Sequence, residues 1–353
     1  MQLNLISPIN NLGYGYTGLH VCEELIKLGH EVALFPIGNP ECHPRHTDNI
    51  RQALANADQF STDAPCVRLW HQHDMSMFVG YGMHIGFPIF ELDTFTAKEQ
   101  HHLQSCNELF VCSNWAKGIV EQHYITSCNN TNVVPLGVDS EIFYPAMSKR
   151  KPTIFLNVGK WEKRKGHDVV LVAFQQAFQS YEDNVELWMM CDNPFPQAKD
   201  FAQELIDTYK QDSRVRLIPR VESDEQVADV MRQADCGVFP SRAEGWNLEA
   251  LEMLSCGKQV IATDYSAHTE FLTEENSWLV SINDVEPAKD GVWFSGQGNW
   301  GKITNESMED LIQHMRYVHN TKQSGQLELN KKGIETAQRF SWKNTAEKII
   351  SYL

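Results

Sequence analysis

Residues 239–263 read FPSRAEGWNLEALEMLSCGKQVIAT, the end of a strand, a tight loop with a glutamate, a helix with a second glutamate, and another strand. The loop closes at Gly245, so the spacing predicts a helix starting at Trp246 or Asn247. Its unpaired backbone N–H groups point into the crevice beyond the preceding strand, and helix ends of this kind suit phosphate. Glu244 on the loop and Glu252, eight residues later on the helix, then face one ligand from two sides. Carboxylates accept hydrogen bonds from hydroxyls, so a ligand with phosphates in its middle and hydroxylated rings at both ends fits the arrangement. The plainer reading is an amphipathic helix that packs Leu248, Leu251, Met253 and Leu254 on a sheet and leaves its glutamates in solvent.

Upstream, Thr153 to Val158 predicts a strand, Gly159 a break, and a helix follows from about Asp168 to Ser180. Between them KWEKRKG, residues 160–166, forms a basic turn over the strand's C-terminal end, where open α/β sheets place ligands. The cations of this turn can meet phosphate oxygens there; the plainer reading is a solvated basic turn, and Lys163 and Arg164 read as solvated. Ser223 and Gln226 have the spacing of a capping box and predict a helix to about Ala234, ahead of a strand from Gly237 to Phe239.

The first half follows the same scheme. Leu3 to Ser7 predicts a strand, residues 13–18 (GYGYTG) a glycine-rich turn, and a helix runs from about Thr17 to Leu28 before a strand from Glu31 to Phe35. The turn is a literal G-x-G-x-x-G, but Phe35 and Pro36 stand where an NAD-binding unit carries its ribose-holding acid. The alternative is a turn that needs small residues only for its backbone. Val67 to Trp70 predicts a buried strand that delivers His71-Gln72-His73-Asp74 to its C-terminal end. His73 is either a functional histidine or a surface one; a zinc site has no third ligand.

These stretches resemble the retaining glycosyltransferases of the GT-B fold, family 4, also called glycosyl transferases group 1. Glu244 and Glu252 are similar to that family's Glu-x7-Glu signature, with Trp246-Asn247 where Phe-Gly is usual. The basic turn resembles the loop that holds the donor diphosphate, with Lys160 in the place of an arginine. FVCSNWAKGIVEQHY (110–124) and VVPLGVDSEIFYP (133–145) resemble the end of the family's N-terminal domain, and residues 264–270 (DYSAHTE) replace its usual glycine-rich turn. Ser266 and His268 are further candidates for phosphate there, and Ile218, Pro219 and Arg220 fall where the family forms part of its base pocket.

The resemblance implies an α/β GT-B fold of two Rossmann-like, doubly wound parallel-sheet domains facing a central cleft. Residues 1–147 would form the acceptor side, 152–338 would bind a nucleotide sugar, and 339–353 would be a helix crossing back to the first domain. Glu244 and His73 are implied as catalytic, and Lys160, Lys165, Gly13, Gly15, Trp246, Asn247 and Leu248 as donor-diphosphate residues. Glu252 would hold the ribose and Glu244 the sugar. The implied reaction moves a hexose, with retention, from a UDP- or GDP-linked sugar to a hydroxyl of a glycan or small-molecule acceptor. It uses no metal and no cofactor besides that co-substrate, and the chain contains no D-x-D. The rival readings are a nucleotide-sugar epimerase or phosphorylase of the same fold and a noncatalytic nucleotide-sugar-binding protein.

Composition sets the outer bounds. With 353 residues, 42% of them hydrophobic, the chain has material for two cores. No apolar run is long enough to span a bilayer, and MQLNLISPIN lacks the basic start and apolar stretch of a secretion signal. Nine cysteines without a C-x-x-C pair read as reduced thiols, so a cytoplasmic protein is expected. A net charge of −16 argues against nucleic acid and anionic membrane as partners. The segment DGVWFSGQGNWG (290–301) reads either as a long loop clamped onto the core or as rings that stack on sugars. The oligomeric state is not legible.

Overall fold

The computed structural model describes residues 1–123, 125 and 130–353; Cys128 and Tyr124, which entered the sequence reading, lie outside them. The chain divides into two compact units, residues 1–137 with 340–353, and residues 138–339. The expected boundary at residue 147 thus lies ten residues late. The reason is local: Ser255 Oγ donates to the Phe143 carbonyl, Ala146 N–H to the Cys256 carbonyl and Arg232 to the Ile142 carbonyl, which fastens this segment to the second unit.

The first unit runs β1 (Gln2–Ser7), α1 (Gly13–Lys27), β2 (Glu31–Pro36), α2 (Thr47–Asn56), β3 (Cys66–Leu69), β4 (His84–Phe87), α3 (Ala97–Gln104), β5 (Glu108–Val111), α4 (Asn114–Gln122) and β6 (Asn130–Val133). All strands pair in parallel, in the order β2-β1-β3-β4-β5-β6. Strands covered on both faces carry continuous apolar runs, as in LNLIS of β1, of which Leu3, Leu5 and Ile6 are buried. The predicted glycine-rich turn is instead the first turn of α1, which begins at Gly13 rather than Thr17. Gly15 and Gly18 face the loop after β1: a Cβ on Gly15 would lie 2.2 Å from Asn10 Oδ1, and one on Gly18 2.0 Å from Ser7 Oγ.

The second unit runs β7 (Thr153–Lys160), α5 (His167–Ala177), β8 (Val185–Asp192), α6 (Lys199–Tyr209), β9 (Val215–Leu217), α7 (Asp224–Gln233), β10 (Cys236–Phe239), α8 (Leu248–Ser255), β11 (Gln259–Thr263), β12 (Trp278–Val280), β13 (Val285–Lys289), β14 (Ser295–Gly301), α9 (Asn305–Gln323) and α10 (Lys331–Arg339). The last helix, α11 (Trp342–Ser351), packs on α1 and so belongs to the first unit. The second parallel sheet has the order β12-β11-β10-β7-β8-β9. Both halves of the capping box form on α7: Ser223 accepts from Gln226 N–H, and Gln226 accepts from Ser223 N–H. Residues 290–301 are not an irregular loop. They form the turn and second strand of an antiparallel β13–β14 hairpin, anchored by the buried Trp300.

Candidate functional site

In a doubly wound sheet the crevice opens where the strand order reverses. In the second unit that point lies between β7 and β10, which neighbour each other although two strands, β8 and β9, separate them in sequence. The loop after β7 carries Lys160 and Lys165; the loop after β10 carries Glu244. These two loops come together. Arg242 N–H donates to the Arg164 carbonyl, and Arg242 makes a paired contact with Asp168 at 2.7 and 2.8 Å.

Glu244 is buried, and its carboxylate collects three donors. Ser241 Oγ (2.8 Å) and Lys165 Nζ (3.2 Å) meet Oε1, and Arg164 meets Oε2 (2.8 Å). Burial alone would raise its pKa, but Arg164 and Lys165 outweigh that and hold the carboxyl far below the usual range. Lys165 is equally buried. Burial disfavours its charge, yet Glu244 and Glu249 (3.6 Å) more than compensate and keep it protonated. Its stem lies across Gly159, where a Cβ would sit 2.9 Å from Lys165 Cδ.

Arg164 corrects the sequence reading. It is buried rather than solvated, and its guanidinium joins Glu162 (2.9 Å), Glu244 and the Ala243 carbonyl (2.7 Å). Lys160 is the more exposed cation, at 38%. It pairs with Glu162 at 2.9 Å and lies 5.3 Å over the Phe195 ring, which meets Trp293 of the hairpin edge-on. Behind the loop stands His167. Glu162 N–H donates to its Nδ1 (3.0 Å), so Nε2 carries the proton and donates to Asn157 Oδ1 (2.9 Å). Burial, with Lys165 nearby, pushes His167 down to about 3. The ring is therefore neutral and serves as a rigid strut for the basic loop.

α8 starts one residue later than expected. Asn247 is its cap, with a left-handed φ of 81°, and its side chain accepts from Ala250 N–H at 3.1 Å. Glycine is the usual residue for such backbone and asparagine tolerates it, which accounts for Asn247 at this position. Its Nδ2 reaches His268 at 2.8 Å, while Ser266 Oγ accepts from Glu244 N–H at 2.8 Å. Ser266 and His268 thus brace the Glu244 loop. Trp246 is buried and packs against Phe271 at 5.0 Å. Leu248 is half-buried at the first turn.

Glu252 lies just over one turn into α8, also buried. Burial and the carboxylates of Glu249 and Asp224 push it well above the usual value, and its carboxyl has no hydrogen-bond partner among the described residues. A buried carboxyl left in this state costs stability, and a ligand hydroxyl would satisfy it.

In the first unit the strand order reverses between β1 and β3. Gly13 opens α1 beyond β1, with nothing within 4 Å of where a Cβ would stand. His73 follows β3, exposed, its ring stacked on His71 at 5.1 Å, and His71 in turn meets Tyr14 at 4.5 Å. The ends of β1 and β3 therefore bring Tyr14, next to Gly13, into contact with His71, on which His73 stacks, while Gly15 is taken up by the Asn10 contact. Sequence reasoning missed Glu162, Arg164, Ser241 and His167. Only His167, a polar letter opening the apolar run VVLVAF, gave any signal.

Residues 152–292 match the family described as glycosyl transferases group 1. Over 99% of its length the chain is 20% identical to putative glycosyltransferase 45 of Sulfolobus islandicus filamentous virus, covering 94% of that protein. It is 32% identical over 145 residues to D-inositol 3-phosphate glycosyltransferase of Arthrobacter sp., spanning about a third (34%) of that relative and 38% of itself. Among solved structures it superposes on sucrose-phosphate synthase from Thermosynechococcus elongatus with a TM-score of 0.71 at 16% identity, covering 100% of this chain and 98% of the other. Anabaena Alr3699/HepE, solved with UDP and glucose, gives 0.65 at 12% identity, covering 99% and 98%. The family match and the fold together define a glycosyltransferase of the GT-B fold. Its group 1 family domain spans residues 152–292.

Proposed function

We propose that the chain transfers a hexose, with retention as in family 4, from a nucleoside-diphosphate sugar to a hydroxyl of a glycan or small-molecule acceptor. The observation that carries this reading is the meeting of the two switch-point loops, where Arg164, Lys165 and Glu244 converge at the start of α8, the helix that also carries the unpartnered carboxyl of Glu252. Transfer breaks the bond between the anomeric carbon and a phosphate oxygen, and the acceptor oxygen bonds to that carbon. The departing phosphate takes the acceptor's proton. Charge building on the leaving oxygen meets Lys160, Lys165 and the N–H groups of Leu248 and Glu249, each charge-assisted contact contributing roughly 1.5–3 kcal/mol. Glu252 takes the ribose hydroxyls, and the remaining acceptor capacity of Glu244 takes a sugar hydroxyl. No metal is assigned a part in this mechanism.

Gly13 and His73 form the face of the first unit assigned to the sugar and acceptor. UDP is the favoured nucleotide, since Alr3699/HepE was solved with it. The cytoplasmic setting rests on the cysteine usage, and the described cysteines are all free thiols. Thermal unfolding with UDP, GDP, ADP and NAD is the test, because a ligand selective for the folded state raises the midpoint. A rise with one nucleoside diphosphate supports the reading and selects the donor series for product analysis. A rise with NAD alone, or with none, overturns it.

A further inference from the structure

Three carboxylates surround the basic loop, and they are held differently. Glu162 and Glu244 have side chains 5% and 6% exposed and are pinned by Arg164. The side chain of Glu249 is 26% exposed, and its carboxylate makes no hydrogen bond among the described residues and pairs with Lys165 at 3.6 Å. It is also the second residue of α8, where the helix dipole and free N–H groups attract an anion. Its carboxylate therefore occupies the electrostatic position that a diphosphate would need, and it alone can swing into solvent without stranding a buried ion.

We propose that Glu249 stands in for the donor diphosphate in the empty site and returns to Lys165 as the nucleoside diphosphate departs, so that it sets the affinity for the product. The inference rests on the reading that the site binds a diphosphate. The arrangement keeps the buried Lys165 doubly paired between turnovers, and a returning carboxylate competes with the product for the same ammonium.

The test is calorimetric binding of inorganic pyrophosphate, of UDP, GDP and ADP, and of the free nucleosides to wild type and Glu249→Gln, with circular dichroism to verify the fold. Removing one like charge next to the anion should tighten pyrophosphate and the preferred nucleoside diphosphate by roughly tenfold and leave the nucleoside unchanged. Turnover should show a lower kcat and stronger product inhibition. Unchanged or weaker diphosphate binding in the variant, with normal binding by wild type, would overturn the role of Glu249 and leave the site intact. If neither protein binds any diphosphate or pyrophosphate, the site reading falls and takes this inference with it. A purely structural role for Glu249 predicts a lower melting temperature at unaltered affinity, and that outcome also rejects it.

Discussion

Glu244 and Glu252 look alike in the sequence and are opposites in the folded chain. Glu244 is a buried anion between two buried cations, so its loss harms the fold as well as the chemistry. Glu244→Gln should abolish transfer and lower unfolding free energy by about 3 kcal/mol, because it leaves Arg164 and Lys165 short of a partner. Urea denaturation beside an activity assay checks both; a variant with full stability would separate Glu244 from its ion pairs. Its folded pKa is depressed, so its contribution is complete above the unfolded value of about 4.3 and is lost as pH falls toward the folded value. Glu252 has the reverse sign. A carboxyl raised in the folded state makes the protein less stable as pH climbs from about 4.3 through its folded value. Glu252→Gln should accordingly stabilise the free protein by roughly 1–2 kcal/mol at neutral pH while weakening nucleoside binding. Denaturation and calorimetry on one preparation test the pair of effects, and a destabilised variant would contradict the first.

A cap and a loop decide how α8 presents itself. Asn247→Gly keeps the left-handed backbone and should change stability by less than about 0.5 kcal/mol, whereas Asn247→Ala loses the cap and adds strain, costing roughly 2 kcal/mol. Equal costs in chemical denaturation would mean that the side-chain bonds to Ala250 and His268, not the backbone, dominate. Much of this element was legible: the apolar letters of α8 recur at helical spacing, and Glu244 and Glu252 stand out by motif. The strands of both units could likewise be read from their apolar runs. The start of α1 was misread because glycines suggest a turn, while Gly15 and Gly18 are glycines only so that the loop after β1 can lie against the helix. Arg164 was illegible in principle. Its burial depends on Glu244, 80 residues away, and a basic turn has no period that would reveal which of its cations faces inward.

At the scale of the whole molecule, each unit contains a histidine kept neutral by burial: His20 in the first, stacked on Trp342, and His167 in the second, both pushed down to about 3. Depressed folded values mean stability that is present above the unfolded value of about 6.5 and is lost as pH falls toward 3. Each unit should lose roughly 2 kcal/mol between pH 6.5 and 5, and a stability that stays flat over that range would show that these rings titrate normally. The two units also differ in how the chain supplies them. The second is continuous, residues 138–339, but the first is closed only by residues 340–353. A ribosome working at about 5–20 residues per second needs roughly 10–40 s to lay down the intervening stretch. During that interval the face of α1 that carries Tyr16 and His20, which His46 meets only at an edge, waits for Trp342. The unit that opens at residue 1 is thus finished only after the second, and a chain released near residue 339 would offer a quality-control system a complete second unit and an open first one.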